Sequence, residues 1–265
     1  MATFPIAKAD LIEGMAKGLA VLESFDTERQ RLNATLAAQR TGLTRAAARR
    51  HLLTLAHLGY LETDGSYFWL APKVLRFSGS YLASARLPRV LQPTLNRLAA
   101  QTQQSFSAVV LDGDEVVIVA RSGVYGAPSR SGVLSAPSRT MAYGLHLGVR
   151  LPAHPTSTGR VLLAALPAAE FTQWLKGCTL QRLTPHTLTQ VGALRKVVAQ
   201  ARRDDFCLAV EEHELGVHAL AVPLRNLQGQ TVAALNVVAS PQQMQAQTLQ
   251  RDMLPLLQEA ARELR

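Results

Sequence analysis

The order of short elements in the first 70 residues limits what this chain can fold into more than any other feature of the sequence. Apolar residues at helical spacing predict three helices, over 15–25, 33–40 and 45–57. Gly42 stands where the tight turn between the second and third helices needs a permissive backbone, and Thr44 is a good N-cap for the third helix. This arrangement is typical of a helix-turn-helix.

A β-hairpin is predicted directly after the third helix, which Gly59 closes. Its strands are expected at 60–62 and 67–70, on either side of the turn 63–66, Thr-Asp-Gly-Ser. Three helices followed by a small hairpin form the layout of a winged helix-turn-helix. We therefore expect a DNA-binding unit here.

The third predicted helix divides into an apolar face and a basic edge. Its apolar face consists of Ala48, Leu52 and Leu55, spaced i, i+4, i+7. The residues largely elsewhere on the wheel are Arg45, Ala46, Arg49 and Arg50. Such an edge suits a major groove, because the small alanine lets the backbone approach the bases closely. The alternative is a surface helix whose arginines only solvate it.

The charge distribution favours a nucleic-acid partner. A formal net charge of +9 is compatible with nucleic acid, an acidic membrane surface or small acids. Residues 29–61 contain no acidic side chain, but they contain Arg29, Arg31, Arg40, Arg45, Arg49 and Arg50. Arginine clustered within one small unit is the usual electrostatic signature of DNA binding, and a solvated basic face is the alternative.

Cysteine content and the start of the chain indicate a cytoplasmic protein without a metal or cofactor. Cys178 and Cys207 have no CxxC pairing or metal-ligand spacing, so both are expected to be packed thiols in a reducing compartment. The first residues lack a secretory apolar core, and no run approaches the roughly 18 apolar residues of a membrane span.

The rest of the pattern predicts a linker helix and a mixed α+β unit. The winged helix-turn-helix is expected at 1–71, the linker helix at 72–86 and a ligand-binding unit at 87–265, with Leu87-Pro88 at the boundary. Strands are predicted at 106–111, 116–121, 141–149, 206–211, 218–224 and 232–238. Helices are predicted at 90–101, 157–165, 167–176, 189–203 and from 242 to the end. We expect an antiparallel-leaning sheet with helices packed on it.

A tandem duplication interrupts this second unit. Residues 122–130 are SGVYGAPSR, residues 131–139 are SGVLSAPSR, and seven of the nine positions match. One copy is too short to be a folding unit. We expect an extended, exposed loop at 122–139, and a dedicated functional loop is the alternative.

Common catalytic motifs are missing from the second unit. Ser157 has no Gly-x-Ser-x-Gly context, and neither a P-loop nor a Gly-x-Gly-x-x-Gly motif is present. The densest ionisable cluster is Glu211, Glu212, His213, Glu214 and His218. Its two histidines are five residues apart and would not share a helical face. Exposed charge at a strand-to-loop edge is therefore expected rather than a metal site.

Residues 156–159, Thr-Ser-Thr-Gly, favour a binding pocket. They precede a helix that is expected to start near Arg160. Free backbone N–H groups and small hydroxyls at a helix start suit a carboxylate. Plain capping of the helix by Ser157 or Thr158 explains the same residues equally well.

Several segments together resemble the IclR-type bacterial regulators. They are GLTRAAARRHLLTLAHLGYLETDGSYFWLAPKVL, LDGDEVVIVAR, TSTGRVLLA, EEHELGVHALAVPLRN and VAALNVVAS, in the family's order across nearly the whole chain. The combination of RAAARRHLLTL, TSTGRVLLA and AALNV is most similar to the branch of this family that controls aromatic-acid breakdown.

The resemblance implies a winged helix-turn-helix joined by a linker helix to a GAF-like effector-binding domain. It implies homodimers, often paired into tetramers, on a palindromic operator in double-stranded DNA. The effector would be a small aromatic carboxylate or a ring-cleavage product, and an activator would also meet RNA polymerase. Activation of a degradation operon is the expectation, and repression of the same class of genes is the alternative.

The resemblance also implies site residues. DNA-reading positions correspond to Arg40, Thr44, Arg45, Ala46, Arg49, Arg50 and the wing residues 64–67, among them Ser66 and Tyr67. Effector-binding positions correspond to Thr156, Ser157, Thr158, Gly159, Ala209, Ala219, Asn236 and Val238, with Met141 and Tyr143 beside them. Some relatives are polar where this chain has Ala209, Ala219 and Val238. That difference implies a less polar ligand, such as an aromatic ring, with Asn236 as its polar anchor.

Two other classes of function fit the same first unit. One is an enzyme that carries a DNA-binding module, although the sequence offers no evident nucleophile–base set. The other is an architectural DNA-binding protein without a ligand. Stabilisation by a carboxylate would separate a ligand-controlled regulator from the architectural class, because a ligand that binds the native state raises its stability.

Overall fold

Two units of the chain, Ala2–Ser84 and Ala85–Arg265, fold around separate cores. The computed structural model describes residues 6–26, 29–122 and 146–264. Residues 123–139 of the tandem duplication lie outside these ranges, and so do the predicted effector-binding residues Met141 and Tyr143. Of the helices in the described ranges, none is long and apolar enough to cross a membrane.

The first unit contains the predicted helices and hairpin in the predicted order. Its helices are α1 (Glu13–Glu23), α2 (Ala34–Thr41), α3 (Arg45–His57) and α4 (Leu75–Ser84). The hairpin strands, β1 (Leu61–Thr63) and β2 (Phe68–Leu70), pair antiparallel. The core of the unit consists of Val21, Phe25, Leu32, Ala37, Ala48, Leu52, Leu61 and Phe68. The winged helix-turn-helix layout is thereby confirmed.

The turn between α2 and α3 forms as the sequence predicts. Gly42 adopts a left-handed backbone with φ of 69°, a conformation that glycine reaches at little steric cost. The side chain of Asn33 caps α2 by accepting from the backbone N–H groups of Thr35 and Leu36. The hydroxyl of Thr44 caps α3 by accepting from the N–H of Ala47. The two caps fix where each helix begins.

The hairpin strands both start one residue later than predicted, so Tyr60 and Tyr67 lie outside them. Asp64 accounts for the end of the turn. Its carboxylate accepts from the backbone N–H of Ser66 at 3.0 Å and of Tyr67 at 2.7 Å. An aspartate that bonds to the backbone two and three residues on stabilises a turn, and residue 67 therefore belongs to that turn.

The connection between the units also differs from the prediction. Pro72 begins a 3-10 turn, Pro72–Val74, and α4 follows it. Helix α5 (Arg86–Thr102) includes Leu87 and Pro88 in its first turn, whereas the sequence placed them at a boundary before the helix. Proline is tolerated there because first-turn N–H groups have no partner within the helix.

The second unit is an antiparallel sheet with helices on both faces, which confirms the α+β expectation. Its described strands are β3 (Ser105–Asp112), β4 (Glu115–Arg121), β5 (Arg150–Pro152), β6 (Cys207–Val210), β7 (His218–Arg225) and β8 (Thr231–Ala239), in the order β5-β4-β3-β8-β7-β6. Its further helices are α6 (Ser157–Ala165), α7 (Ala168–Gly177), α8 (Val191–Asp204) and α9 (Ala246–Glu263). One apolar cluster packs α5 and α9 against the sheet, and a second packs α6, α7 and α8.

The strand predicted at 141–149 is wrong in its described part. Residues 146–149 form a turn in which the N–H of Val149 donates to the carbonyl oxygen of His146. Gly148 has φ of 84°, which ends any extended backbone at that point. Strand β5 begins only at Arg150 and pairs with β4.

A close backbone approach at Gly159 fixes the start of α6. A Cβ atom at this position would lie 2.0 Å from the carbonyl oxygen of Ala153, a distance that no side chain tolerates. Glycine therefore allows α6 to pack directly against the segment that joins it to β5.

Replacing Gly159 with Ala should destabilise the second unit by about 3 kcal/mol, because the added methyl overlaps backbone that cannot move aside easily. Gly192→Ala is the matched control, since Gly192 also lies in the first turn of a helix, α8, and a Cβ there meets nothing within 4 Å. Its stability should change by less than about 1 kcal/mol, in the stabilising direction. Urea unfolding followed by Trp174 fluorescence in a Trp69→Phe background measures both, and equal midpoints for the two variants would contradict the close approach.

Candidate ligand cavity and DNA-reading surface

A cavity in the second unit lies between the sheet and the start of α6. It holds about 580 Å³ of space without protein atoms, part of it open to solvent. Its apolar lining consists of Val109, Val116, Ile118, Leu151, Pro155, Ala209, Val217, Ala219 and Val238. Its polar lining consists of Ser107, Thr156, Ser157, Thr158, Glu212, His213 and Asn236.

The helix start in this cavity leaves one hydroxyl unused. Thr156 is the N-cap of α6, and its Oγ1 accepts from the N–H of Gly159 at 3.1 Å. The cap is therefore Thr156 and not Ser157 or Thr158, the alternative that the sequence left open, and the helix begins at Ser157 rather than near Arg160. The helix limits predicted at 157–165 are confirmed. Ser157 is 1% exposed, and its Oγ has no hydrogen-bond partner among the described residues. Buried hydroxyls are rarely left in this state, so the atom is a natural contact for a ligand.

An ion pair beneath the cavity ties α6 to the loop that follows β6. Arg160 is 1% exposed, and its Nη1 donates to Oε1 of Glu212 at 2.6 Å. Its Nη2 donates to the other carboxylate oxygen, and its Nε donates to the carbonyl oxygen of His154 at 2.8 Å. The guanidinium thus bridges the segment before α6 and the loop after β6 in a bidentate geometry.

Two threonines hold the same loop from the other side. The hydroxyl of Thr184 donates to the carbonyl oxygen of Glu211 at 2.7 Å, and that of Thr187 donates to the carbonyl oxygen of Glu212 at 2.6 Å. The carboxylate of Glu211 accepts from the N–H of Gly216 at 2.8 Å. These bonds make the loop a fixed wall of the cavity.

The prediction of exposed charge in this loop is wrong. Residues 211–214 are half-buried, and Glu212 and His213 line the cavity. The reason is the buried Arg160, which draws the carboxylate of Glu212 inward. Within the described ranges, no group of three or more His, Cys, Asp or Glu side chains is placed to hold a metal ion.

The opposite wall carries a buried polar pair. Ser107 on β3 lies directly across from Asn236 on β8, and its Oγ donates to Oδ1 of Asn236 at 2.6 Å. This bond occupies the carboxamide oxygen, so its N–H hydrogens are the donors that Asn236 can turn toward a ligand. Ser107 was not predicted as a site residue, although a serine between apolar strand residues is a signal for such a pair.

Two histidines around the cavity, His213 and His154, have pKa values that favour the neutral ring. Burial lowers the pKa of His213, and burial and the charge of Arg160 lower the pKa of His154. Burial raises the pKa of the Cys207 thiol to about 11, so it stays protonated beside Arg160. The described part of the cavity therefore presents hydrogen-bond donors and one paired carboxylate at neutral pH.

The structure brings most of the predicted effector-binding residues together in one cavity. Those that line it are Thr156, Ser157, Thr158, Ala209, Ala219, Asn236 and Val238. Gly159 does not line it, because the space beside its Cα is filled by the Ala153 backbone. The sequence missed several lining residues, above all Ser107, Glu212 and His213. A role in ligand binding remains a prediction for every one of these residues.

The predicted DNA-reading residues of α3 lie on its surface. Arg45, Ala46, Arg49 and Arg50 are exposed, whereas Ala48 and Leu52 are fully buried. The hydroxyl of Thr44 is engaged in its cap. Arg40, at the end of α2, forms an ion pair with Asp26. The exposed residues Arg45, Ala46, Arg49 and Arg50 therefore form a continuous, basic and accessible helix face.

The wing is held by Arg31, which the sequence marks only as one of several clustered basic residues. The guanidinium of Arg31 lies 4.5 Å from the ring centre of Trp69 and 5.9 Å from that of Tyr67. It also donates to Oδ2 of Asp64 at 2.6 Å. Backbone N–H groups of Tyr67 and Ser66 hold the pKa of Asp64 below its usual range. Arg31 thus orders the wing, on which Ser66 and Tyr67 are exposed.

Two family models match this chain. One is the IclR helix-turn-helix domain over residues 14–65, and the other is the bacterial transcriptional regulator IclR C-terminal domain over residues 79–265.

Characterised relatives and a solved structure are similar over most of their lengths. The Pca operon regulatory protein of Acinetobacter baylyi is 50% identical over 260 residues, which cover 98% of this chain and 90% of that protein. The p-hydroxybenzoate hydroxylase transcriptional activator of the same organism is 52% identical, covering 98% and 93%. A double mutant of the PobR inducer-binding domain from Acinetobacter, in complex with 3-hydroxybenzoic acid, is 47% identical, with a TM-score of 0.60 over 68% of this chain and 98% of that one.

Replacing Arg160 with Met should destabilise the second unit by about 3–5 kcal/mol, because it leaves the largely buried carboxylate of Glu212 without its partner. The double variant R160M/E212Q should lose less stability than R160M and E212Q lose together, since the second change removes the unpaired carboxylate charge. Arg150→Met is the control: its ion pairs with Glu115 and Asp112 are 45% exposed on the arginine side and should contribute less than about 1 kcal/mol. Urea unfolding gives all four values, and strict additivity of the first pair would contradict the buried bridge.

Proposed function

Because the chain belongs to the IclR family of bacterial transcriptional regulators, we propose that it activates an operon for the breakdown of a hydroxybenzoate and binds that class of acid as its effector. Two observations support this proposal. A relative that is 52% identical is the p-hydroxybenzoate hydroxylase transcriptional activator, and a domain that is 47% identical binds 3-hydroxybenzoic acid. Both similarities extend over the effector-binding unit that holds the cavity.

The observation that carries the effector proposal is the hydroxyl of Ser157 at the start of α6, which has no partner among the described residues. A carboxylate placed there would accept from this hydroxyl and from the backbone N–H groups of Ser157 and Thr158, whereas that of Gly159 is used by the cap. It also benefits from the positive end of the helix dipole. Among the lining residues that the structure describes, Glu212 is the one acidic side chain, and Arg160 neutralises it.

The walls of the cavity suit an aromatic ring. Val109, Ile118 and Val238 are among the side chains that would contact its faces, and Ala209 and Ala219 leave room for its width. A planar ring gains from such apolar burial, at roughly 25 cal/mol for each Å² removed from water. A ring hydroxyl on the far side from the carboxylate would accept a hydrogen bond from the amide of Asn236.

The first unit would read DNA through α3. In a dimer, two copies of this helix would enter successive major grooves of a palindromic operator. The side chains of Arg45, Arg49 and Arg50 would donate to guanine edges and phosphates. The wing, ordered by Arg31, would contact the adjacent DNA backbone. The small side chain of Ala46 would let the helix axis approach the bases.

Control by the effector would pass through the segment that connects the two units. The effector can shift the equilibrium only between states that it binds unequally. Helix α4, which precedes the effector-binding unit, would transmit this preference as a change in the spacing of the two DNA-reading helices. An effector that favours the operator-competent spacing then activates transcription by RNA polymerase.

Adding 4-hydroxybenzoate should stabilise the wild-type protein, by about 2.7 kcal/mol at a hundred times its Kd. Ser157→Ala should weaken binding by roughly 10-fold to 150-fold, because it removes a hydrogen bond to a charged group worth about 1.5–3 kcal/mol. Thr179→Ala, at an exposed threonine after α7 and outside the cavity lining, is the control and should leave the affinity unchanged. Thermal shift and calorimetry give these values. No stabilisation by 3- or 4-hydroxybenzoate would favour a ligand-independent DNA-binding protein.

Replacing Arg49 with Ala should weaken specific DNA binding by about 1–3 kcal/mol, which is the contribution of one bidentate contact between arginine and guanine. The DNA is selected in vitro by the wild-type protein from a random pool, so the operator need not be known. Arg251→Ala, an exposed arginine on α9 with a side chain that is 74% accessible, is the control. Unchanged affinity and unchanged base preference in R49A would rule out base reading by this residue.

A further inference from the structure

The hydrogen-bond donors of the cavity do not by themselves compensate the negative charge of a bound carboxylate. Two of its lining side chains are ionisable, Glu212 and His213, as far as the described residues show. Glu212 is held by both Nη atoms of Arg160, so this pair contributes no net charge. Arg160 is not itself among the lining residues. An incoming carboxylate therefore meets no free cation in the described lining, and burying an uncompensated anion is costly.

His213 is the lining residue that can supply the missing charge. It follows Glu212 in the loop after β6 and shares the cavity with Ser157. Burial lowers its pKa, the charge of Glu214 on the same loop raises it, and His154 from the segment before α6 lowers it further. Arg160 and Glu212 cancel as a pair, and the Cys207 thiol is neutral. The ring is therefore neutral in the empty cavity near pH 7.

We propose that His213 takes up a proton when a carboxylate effector binds, and that this step makes the cavity select carboxylates over neutral molecules of the same shape. The inference rests on the proposed function, since it needs an anionic effector. The proton comes from solvent, and no bond other than N–H forms. A negative charge beside an imidazole favours its cationic form, which converts His213 from a neutral wall residue into a charge-assisted donor.

The sign of the pH dependence follows from linkage. The pKa of His213 is lowered in the free protein and raised in the complex, so between these two values binding takes up one proton. Over that interval the Kd for 4-hydroxybenzoate rises by up to tenfold for each unit of pH. Its carboxyl group stays ionised throughout, so the dependence belongs to the protein. Below both values and above both values, the affinity is independent of pH.

Calorimetry of the full chain tests the proposal. Titrations with 4-hydroxybenzoate at a series of pH values around neutrality, each in phosphate and in Tris, which differ in ionisation enthalpy, give the number of protons taken up for each ligand bound. For the wild type we expect an uptake of up to one proton that rises to a maximum and falls again as the pH increases. We expect none for the neutral isostere 4-hydroxybenzamide, none for H213Q, and unchanged uptake for His186→Gln. His186 is a matched control because its side chain is 57% exposed and lies near the same loop.

The possible results distinguish the role of His213 from the identity of the effector. Binding of 4-hydroxybenzoate without proton uptake overturns the role of His213 and leaves the effector assignment standing. Uptake that persists in H213Q also overturns it. The absence of binding by any hydroxybenzoate contradicts the proposed function itself. Should H213Q unfold, the ¹⁵N shifts of the seven histidine rings in the wild type answer the same question. The proposal is overturned when none of these rings becomes cationic on binding of the ligand.

Discussion

The buried contact between Arg160 and Glu212 is the interaction on which the effector-binding unit depends. Removing two charges from water costs more than a typical surface ion pair returns, so such a pair is poor evidence of extra stability. Its value here is geometric. The guanidinium holds the His154 carbonyl and the Glu212 carboxylate at once, and it thereby fixes the start of α6 against the loop after β6. Those two segments form the polar end of the cavity.

Arginine has opposite roles in the two units of this regulator. In the second unit, Arg160 is fully buried and its charge is neutralised by Glu212, so it is not available as a free cation for an anionic ligand. In the first unit, Arg45, Arg49 and Arg50 are exposed and available to phosphates and bases, while Arg31 stacks on Trp69 and orders the wing. Total charge alone does not distinguish these roles, because each depends on the partner that the fold supplies.

The sequence predicted local features well and tertiary pairings poorly. The cap at Thr44, the turn at Gly42 and the limits of α6 at 157–165 are local, because they depend on residues within a few positions of one another. The bond between Arg160 and Glu212 spans 52 positions, and that between Ser107 and Asn236 spans 129. A pattern within one strand can mark a buried polar residue such as Ser107, but it does not reveal the partner. The predicted exposure of residues 211–214 was wrong for that reason. The strand expected at 141–149 was wrong over its described residues, 146–149, because alternation does not reveal the left-handed Gly148.

A crystal structure of the full chain grown with 4-hydroxybenzoate would show whether this cavity is the effector site of an aromatic-acid regulator. We expect a ligand whose carboxylate lies within hydrogen-bond distance of the Ser157 hydroxyl and the first N–H groups of α6. The ring should lie against Val109, Ile118 and Val238. A ligand bound elsewhere on the chain, or an empty cavity under conditions in which calorimetry detects binding, would contradict it.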